Sequence, residues 1–304
     1  MQVHLPIAEM SISAEIIFLV SAFVGFLSGV FGIGGGFLTT PFLIFTGIPP
    51  GVAVGTQASQ LVASSVSGTI GHWRRNNVDI KMGLVMLTGG IIGSFVGIMI
   101  FKLLQYLGQV DFAISLLYVV LLSSIGFMML TETVFSRFKK KNVRKEFNTL
   151  KISPFIASLP YKMRFPRSKL FISALVPGGI GFIGGILASV LGIGGGFLLV
   201  PAMIYILGMP TLLVAGTSLF QIIFTTASAT IMHAVFNNTV DMVLALILIL
   251  GGVIGAQIGI SIAKFVKPVQ ARLVMAIMVL LVAVQLSLQL FIEPSELFST
   301  LVWP

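Results

Sequence analysis

The chain has 304 residues, 57% of them hydrophobic and 9% charged, with a mean hydropathy of +1.09, a mix that excludes an ordinary soluble domain and puts the protein in a membrane. It has no cysteine, which rules out disulfides, thiolate chemistry and cysteine-ligated metals. The net charge of +9 invites a nucleic-acid reading, but eleven of the 18 Lys and Arg residues crowd into 137–169 beside one acid, Glu146; that distribution is a cytoplasmic loop obeying the positive-inside rule, in contact with anionic lipid headgroups and not with nucleic acid.

In chain order, the first apolar stretch covers 14–31. The residues ahead of it lack the basic region of a signal peptide and carry Glu9, with Glu15 at the start of the stretch, so this helix is expected to be retained. The cluster Gly32-Ile33-Gly34-Gly35-Gly36 follows, and then a short apolar stretch, 37–47, too short to cross comfortably. Spanning-length stretches are predicted at 52–74, 79–104 and 111–132. Beyond the basic loop the order repeats: an apolar stretch at 170–191, the cluster Gly192-Ile193-Gly194-Gly195-Gly196, a short stretch at 197–208, and long ones at 212–236, 242–266 and 270–292.

The repetition reaches individual residues. Gly32 through Leu38 return letter for letter as Gly192 through Leu198, and Pro41, Gly55-Thr56, Gln60, His72, Asn76-Asn77, Asp79 and Lys102 have mates in Pro201, Gly216-Thr217, Gln221, His233, Asn237-Asn238, Asp241 and Lys264. The offset drifts only from 160 to 162. Two membrane units broken by glycine at matching places point to a transporter whose site lies at the breaks.

Charge orients the two copies. With 137–169 cytoplasmic, alternating crossings put 17 of the 18 basic residues inside, Lys102 being the exception, and six of the nine acids outside. The corresponding loops 72–81 and 233–241 then fall on opposite faces, so the repeats are expected to be inverted. The predicted fold is all-α integral membrane: two inverted-topology repeats, each a glycine-broken, re-entrant-type helical hairpin plus three transmembrane helices. The expected division is 1–136, a basic cytoplasmic loop at 137–169, and 170–304, with both termini extracytoplasmic and the protein in a bacterial inner membrane.

A glycine cluster breaks a helix, and the short helix that restarts after it offers unpaired N–H groups and a positive dipole end to an anion. Gly34, Gly35 and Gly36 in one copy, and Gly194, Gly195 and Gly196 in the other, are therefore candidate substrate-binding residues. Thr56, Gln60, Ser64 and Ser67 share one helical face, as do Thr217, Gln221, Thr225 and Ser228; Thr56, Gln60, Thr217 and Gln221 are expected to complete the site. Gly89, Gly90, Gly93 and Gly97, with their mates Gly251, Gly252, Gly255 and Gly259, follow small-xxx-small spacing and read as helix packing. His72 and His233 near helix ends, and Lys102 and Lys264 at opposite mouths, are candidates for proton exchange or for drawing anions inward. No cofactor or metal is implied, since nothing in the core offers carboxylate or thiolate ligands.

At these residues the chain resembles the sulfite exporter TauE/SafE family of bacterial membrane transporters. The resemblance rests on Gly-Ile-Gly-Gly-Gly-Phe-Leu with Pro41 and Pro201, and on Gly-Thr followed by the polar helices at 55–67 and 216–228. It covers both halves and leaves out 137–169. It implies movement of sulfite, thiosulfate or small organosulfonates by an inverted-repeat bundle, with homo-oligomerisation left open. The second copy departs at Ser218 and Phe220, where the first has Gln57 and Ser59, so the two half-sites are not equivalent. The competing readings are an anion channel of the same fold, a carrier of an unrelated small anion, and a membrane-embedded enzyme; the last is disfavoured because the core holds no acid–base pair.

Overall fold

A computed structural model describes residues 2–31, 35–138, 159–262 and 268–291. Each half runs hairpin, long helix, short helix and then three long helices. The first comprises β1 (Gln2–Leu5), β2 (Met10–Ser13), α1 (Ala14–Phe31), α2 (Gly36–Phe45), α3 (Pro50–Arg74), α4 (Ile80–Tyr106) and α5 (Val110–Phe138). The second comprises β3 (Lys162–Phe165), β4 (Leu170–Ser173), α6 (Leu175–Leu191), α7 (Gly196–Tyr205), α8 (Thr211–Met232), a π-helical turn (His233–Asn237), α9 (Met242–Ile262) and α10 (Pro268–Phe291). Among the described residues five helices are long and apolar enough to cross a bilayer: α4, α5, α8 with its π turn, α9 and α10. The Thr, Gln and Ser residues of α3 lower its hydropathy, while α1 and α6 stop at the glycine clusters.

The two hairpins correct the reading of 170–191 as one apolar span. Residues 170–173 pair with 162–165, and the helix begins only at Leu175. The first hairpin has the same register at an offset of 160: Gln2 faces Ser13 as Lys162 faces Ser173, and Leu5 faces Met10 as Phe165 faces Leu170. The repeated unit therefore reaches back to residue 2 in one half and 162 in the other, into the segment read as basic loop.

Helix starts follow from local chemistry. Pro50 occupies the first turn of α3, and Pro210 immediately precedes α8, where a missing N–H costs no helix bond. Asp79 caps α4 by accepting from Met82 N at 3.1 Å, and Asp241 caps α9 by accepting from Val243 N and Leu244 N at 3.0 and 3.1 Å. Asn76 and Asn238 end the α3 and α8 segments with φ of 57° and 51°. The second end comes one residue later relative to its histidine, and the π turn absorbs that extra residue, which is where the sequence offset grows from 161 to 162.

The helices pack across the repeats. A Cβ on Gly89, Gly93 or Gly97 of α4 would meet the carbonyl oxygens of Gly178, Phe182 and Ile186 on α6 at 1.9, 2.0 and 2.9 Å. On α9, Gly251, Gly255 and Gly259 meet Phe18, Ala22 and Phe26 of α1 in the same way, at 2.6, 1.9 and 2.1 Å. These glycines are packing residues, as their spacing predicts. Their order makes α1 run parallel to α9 and α6 parallel to α4. In contrast, Gly55 lies against Thr239, Gly68 against Leu219 and Gly216 against His72 and Asn77, so α3 and α8, equivalent in sequence, run antiparallel. Two apolar clusters match residue for residue: Phe165, Met82, Met86 and Met203 in one, and Leu5, Leu244, Leu248 and Leu43 in the other. A third, with Tyr118, Phe101, Phe37 and Phe197, joins residues of both halves.

Candidate functional site

The two short helices begin side by side. The rings of Phe37 and Phe197 stack with centroids 4.5 Å apart and planes 8° from parallel, and a Cβ on Gly36 would lie 2.8 Å from the Gly192 carbonyl oxygen. Glycine is required on steric grounds: Gly192, Gly194 and Gly195 have φ of +67°, +71° and +73°, and a Cβ on Gly195 would meet the Gly184 oxygen at 2.7 Å. Gly35 differs, with φ −73° and a side chain, Val24, as its nearest neighbour. Gly36, Gly194 and Gly196 are buried; Gly34 lies outside the described residues. Each short helix carries a proline in its second turn, Pro41 or Pro201, which removes the N–H that would bond the carbonyl of Phe37 or Phe197.

The second break is anchored by groups outside the glycine cluster. Tyr118 donates its hydroxyl to Leu191 O, His233 bonds Ser189 O through Nε2 at 2.7 Å, and Ser189 donates to Ser94 O at 3.0 Å. Because a carbonyl only accepts, Nε2 of His233 carries the proton, and Nδ1 accepts from Asn237 Nδ2 at 3.1 Å and Thr239 Oγ1 at 3.3 Å. The last carbonyls of α6, which a helix end leaves unpaired, thus find side-chain donors. His233 is fully buried against the Phe101 ring, while its mate His72 is partly exposed. Lys102 is exposed near the end of α4; Lys264 lies outside the described residues.

Thr56 and Thr217 are committed to the opposite repeat. Thr56 Oγ1 accepts from Asp241 N at 3.0 Å, and Thr217 Oγ1 accepts from Asp79 N at 2.9 Å. Each aspartate is held in turn by the hairpin of the other half: Ile7 N donates to Asp241 Oδ2 at 3.0 Å, and Ser168 N to Asp79 Oδ2 at 3.0 Å. Ser168 Oγ adds a second bond to the same oxygen, and Arg167 donates to Val78 O at 2.6 Å. Sequence reasoning paired Asp79 with Asp241 but gave them no role; the signal was their duplicated place one residue ahead of a helix.

The glutamines part company. Gln60 donates to Ser21 Oγ at 3.1 Å and accepts from Gln57 Nε2, and Ser21 donates to Leu248 O at 2.6 Å. Gln221 is fully buried, and neither its Nε2 nor its Oε1 has a hydrogen-bond partner. The cause is in the sequence: Ser218 replaces Gln57 and Gly181 replaces Ser21, so both partners of the first glutamine are missing from the second half. Each glutamine lies over a glycine of the opposite repeat, Gln60 Nε2 over Gly252 and Gln221 Nε2 over Gly90. One position along α8, Ile222, and one turn beyond it, Thr226, touch Gly194 of the second break. Among the described residues no group of His, Cys, Asp and Glu could hold a metal ion.

The family model described as Sulfite exporter TauE/SafE matches residues 17–286. The chain is 29% identical over 273 residues to "Probable membrane transporter protein YjnA" of Bacillus subtilis (strain 168), covering 89% of this chain and 98% of the relative. It is 26% identical over 282 residues to "Probable membrane transporter protein YunE" of the same organism, covering 90% and 97%. A "Probable membrane transporter protein" of Xylella fastidiosa (strain 9a5c) is 28% identical over 242 residues, covering 79% and 81%. No solved structure matches. A multi-pass membrane transporter for a small substrate, and not an enzyme, the chain belongs to the sulfite exporter TauE/SafE family.

Proposed function

We propose that this transporter exports a small sulfur-containing anion, such as sulfite, thiosulfate or a short organosulfonate, through a site where the two glycine breaks meet. The observation that carries the reading is the duplicated break itself, with α2 and α7 starting against one another at Phe37 and Phe197. The first-turn amides of a helix lack intrahelical partners and sit at its positive end, so two of them side by side favour an anion without a charged side chain. Neutral dipoles bind such an ion without trapping it. The antiparallel run of α3 and α8 supports inverted repeats that rock to alternate access. With 137–169 on the cytoplasmic side of the inner membrane, the resting potential drives an anion outward by about 2.3 kcal/mol per charge per 100 mV.

Purified protein in liposomes tests this. Uptake of at least one of sulfite, thiosulfate and methanesulfonate under an imposed potential is expected to saturate and to reverse with the sign of the potential. It should fall sharply in Gly35→Val, where the backbone already has an ordinary φ. Unaltered flux in that folded variant would remove the site from the breaks. Ion currents far above carrier turnover would make the protein a channel.

A further inference from the structure

We infer that the substrate is taken as a monoprotonated oxyanion, hydrogen sulfite in the sulfur series, and that Gln221 is the residue that selects it; this rests on the transport reading above. A carboxamide presents two N–H donors and one carbonyl acceptor, and in Gln221 both ends are buried with no partner in the protein. Such a group is expensive to keep unless something binds it. In the first half, the equivalent amide is bonded at both ends, its nitrogen to Ser21 and its oxygen to Gln57, and the atom left over there is the Gln57 oxygen, an acceptor that repels an anion. Of the two glutamines, only Gln221 has both ends unbonded.

A ligand that satisfies both ends of Gln221 must carry an acceptor and a donor close together. Sulfite dianion and sulfonates carry acceptor oxygens alone and would leave the Gln221 oxygen unmet. Hydrogen sulfite in its hydroxyl form carries both: an S–O oxygen accepts from Nε2 while its O–H donates to Oε1. Charge points the same way. The helices around Gln221 present no cation to neutralise a dianion. No residue of α6 or α8 titrates, and Tyr205 ends α7. On α4 the cations are Lys81 and Lys102, both exposed near its ends, and on α3 the titratable groups are His72 and Arg74 in the last turn; His233 follows α8 and is spent on Ser189 and Asn237. Desolvation grows with the square of the charge, so a monoanion enters such a site far more readily than a dianion. A pH dependence would therefore belong to the ligand.

The test compares two anions at two pH values in proteoliposomes, with no pH gradient and with the potential clamped. Sulfite flux is expected to fall as the pH is raised through the second ionisation of sulfurous acid, in proportion to the remaining hydrogen sulfite. Methanesulfonate, singly charged at every pH used but without a donor, should move at about a tenth of the rate or less. Gln221→Leu should lower sulfite flux about ten-fold or more and bring it to the methanesulfonate level. Equal, pH-independent flux of both anions in the wild-type protein would overturn the inference while leaving the transport reading intact. Flux of neither anion, from protein that remains folded in the liposomes, would overturn both. The wild-type comparison needs no variant, so misfolding of Gln221→Leu does not shield the claim.

Discussion

Two glutamines at equivalent places in the two halves have opposite situations. Gln60 is built into the protein by Ser21 and Gln57; Gln221 faces the same kind of glycine surface with nothing to bond. One polar helix face occurs twice, and the absence of two partners in the second half leaves its glutamine a candidate binding group. The breaks differ in parallel. The second needs three left-handed glycines and is fastened by Tyr118 and His233, whereas Gly35 of the first has an ordinary φ and a valine beside it. The two halves thus share their helix packing and differ in the bonding of Gln60 and Gln221 and in the backbone at Gly35 and Gly195.

Substitutions at matched positions can break that comparison. The largest effect is expected from Gly195→Ala, which combines about 1–2 kcal/mol of left-handed strain with a clash on the Gly184 backbone. Gly35→Ala needs only Val24 to give way and should cost well under half as much; equal losses of thermal stability would contradict the assigned geometry. Gln60→Leu should destabilise by about 1–3 kcal/mol, since Ser21 and Gln57 lose their partner in a buried setting. Thr56→Val and Thr217→Val should each cost about 1 kcal/mol, by removing the acceptor of the Asp241 or Asp79 amide. Thermal unfolding in detergent reads all of these, and a double variant that loses less than the sum would reveal coupling between the two ends of the bundle. The smallest effect on stability is expected from Gln221→Leu: an unbonded amide replaced by an apolar group of similar size should leave unfolding unchanged or slightly raised.

Much of the fold was legible in the residues. Hydropathy placed the long helices, glycine placed the breaks, and small-xxx-small spacing marked the glycines of α4 and α9 as packing residues without naming α6 and α1 as their partners. The hairpins were missed because four-residue strands give little periodic signal, and the second straddles the boundary between the basic segment ending at 169 and the apolar stretch beginning at 170. Their signature was present, since Pro6, Ile12 and Ser13 recur as Pro166, Ile172 and Ser173 at the same offset of 160. The site was legible in part. Sequence identified Gln60 and Gln221 and noted that Ser218 breaks the repeat. It could not reveal that Thr56 and Thr217 bond across to Asp241 and Asp79, or that His233 is buried, because those facts depend on how two distant helices meet. Tyr118, Ser21 and Ser189 each matter through one carbonyl or one amide of another helix, and spacing along the chain encodes none of these.

The most direct measurement is sulfite flux in Gln221→Leu and Gln60→Leu proteoliposomes, paired with the thermal stability of the same preparations. The account predicts a stable Gln221→Leu protein that has lost most of its sulfite flux, beside a less stable Gln60→Leu protein whose folded fraction still transports. Full flux from a stable Gln221→Leu protein would contradict it.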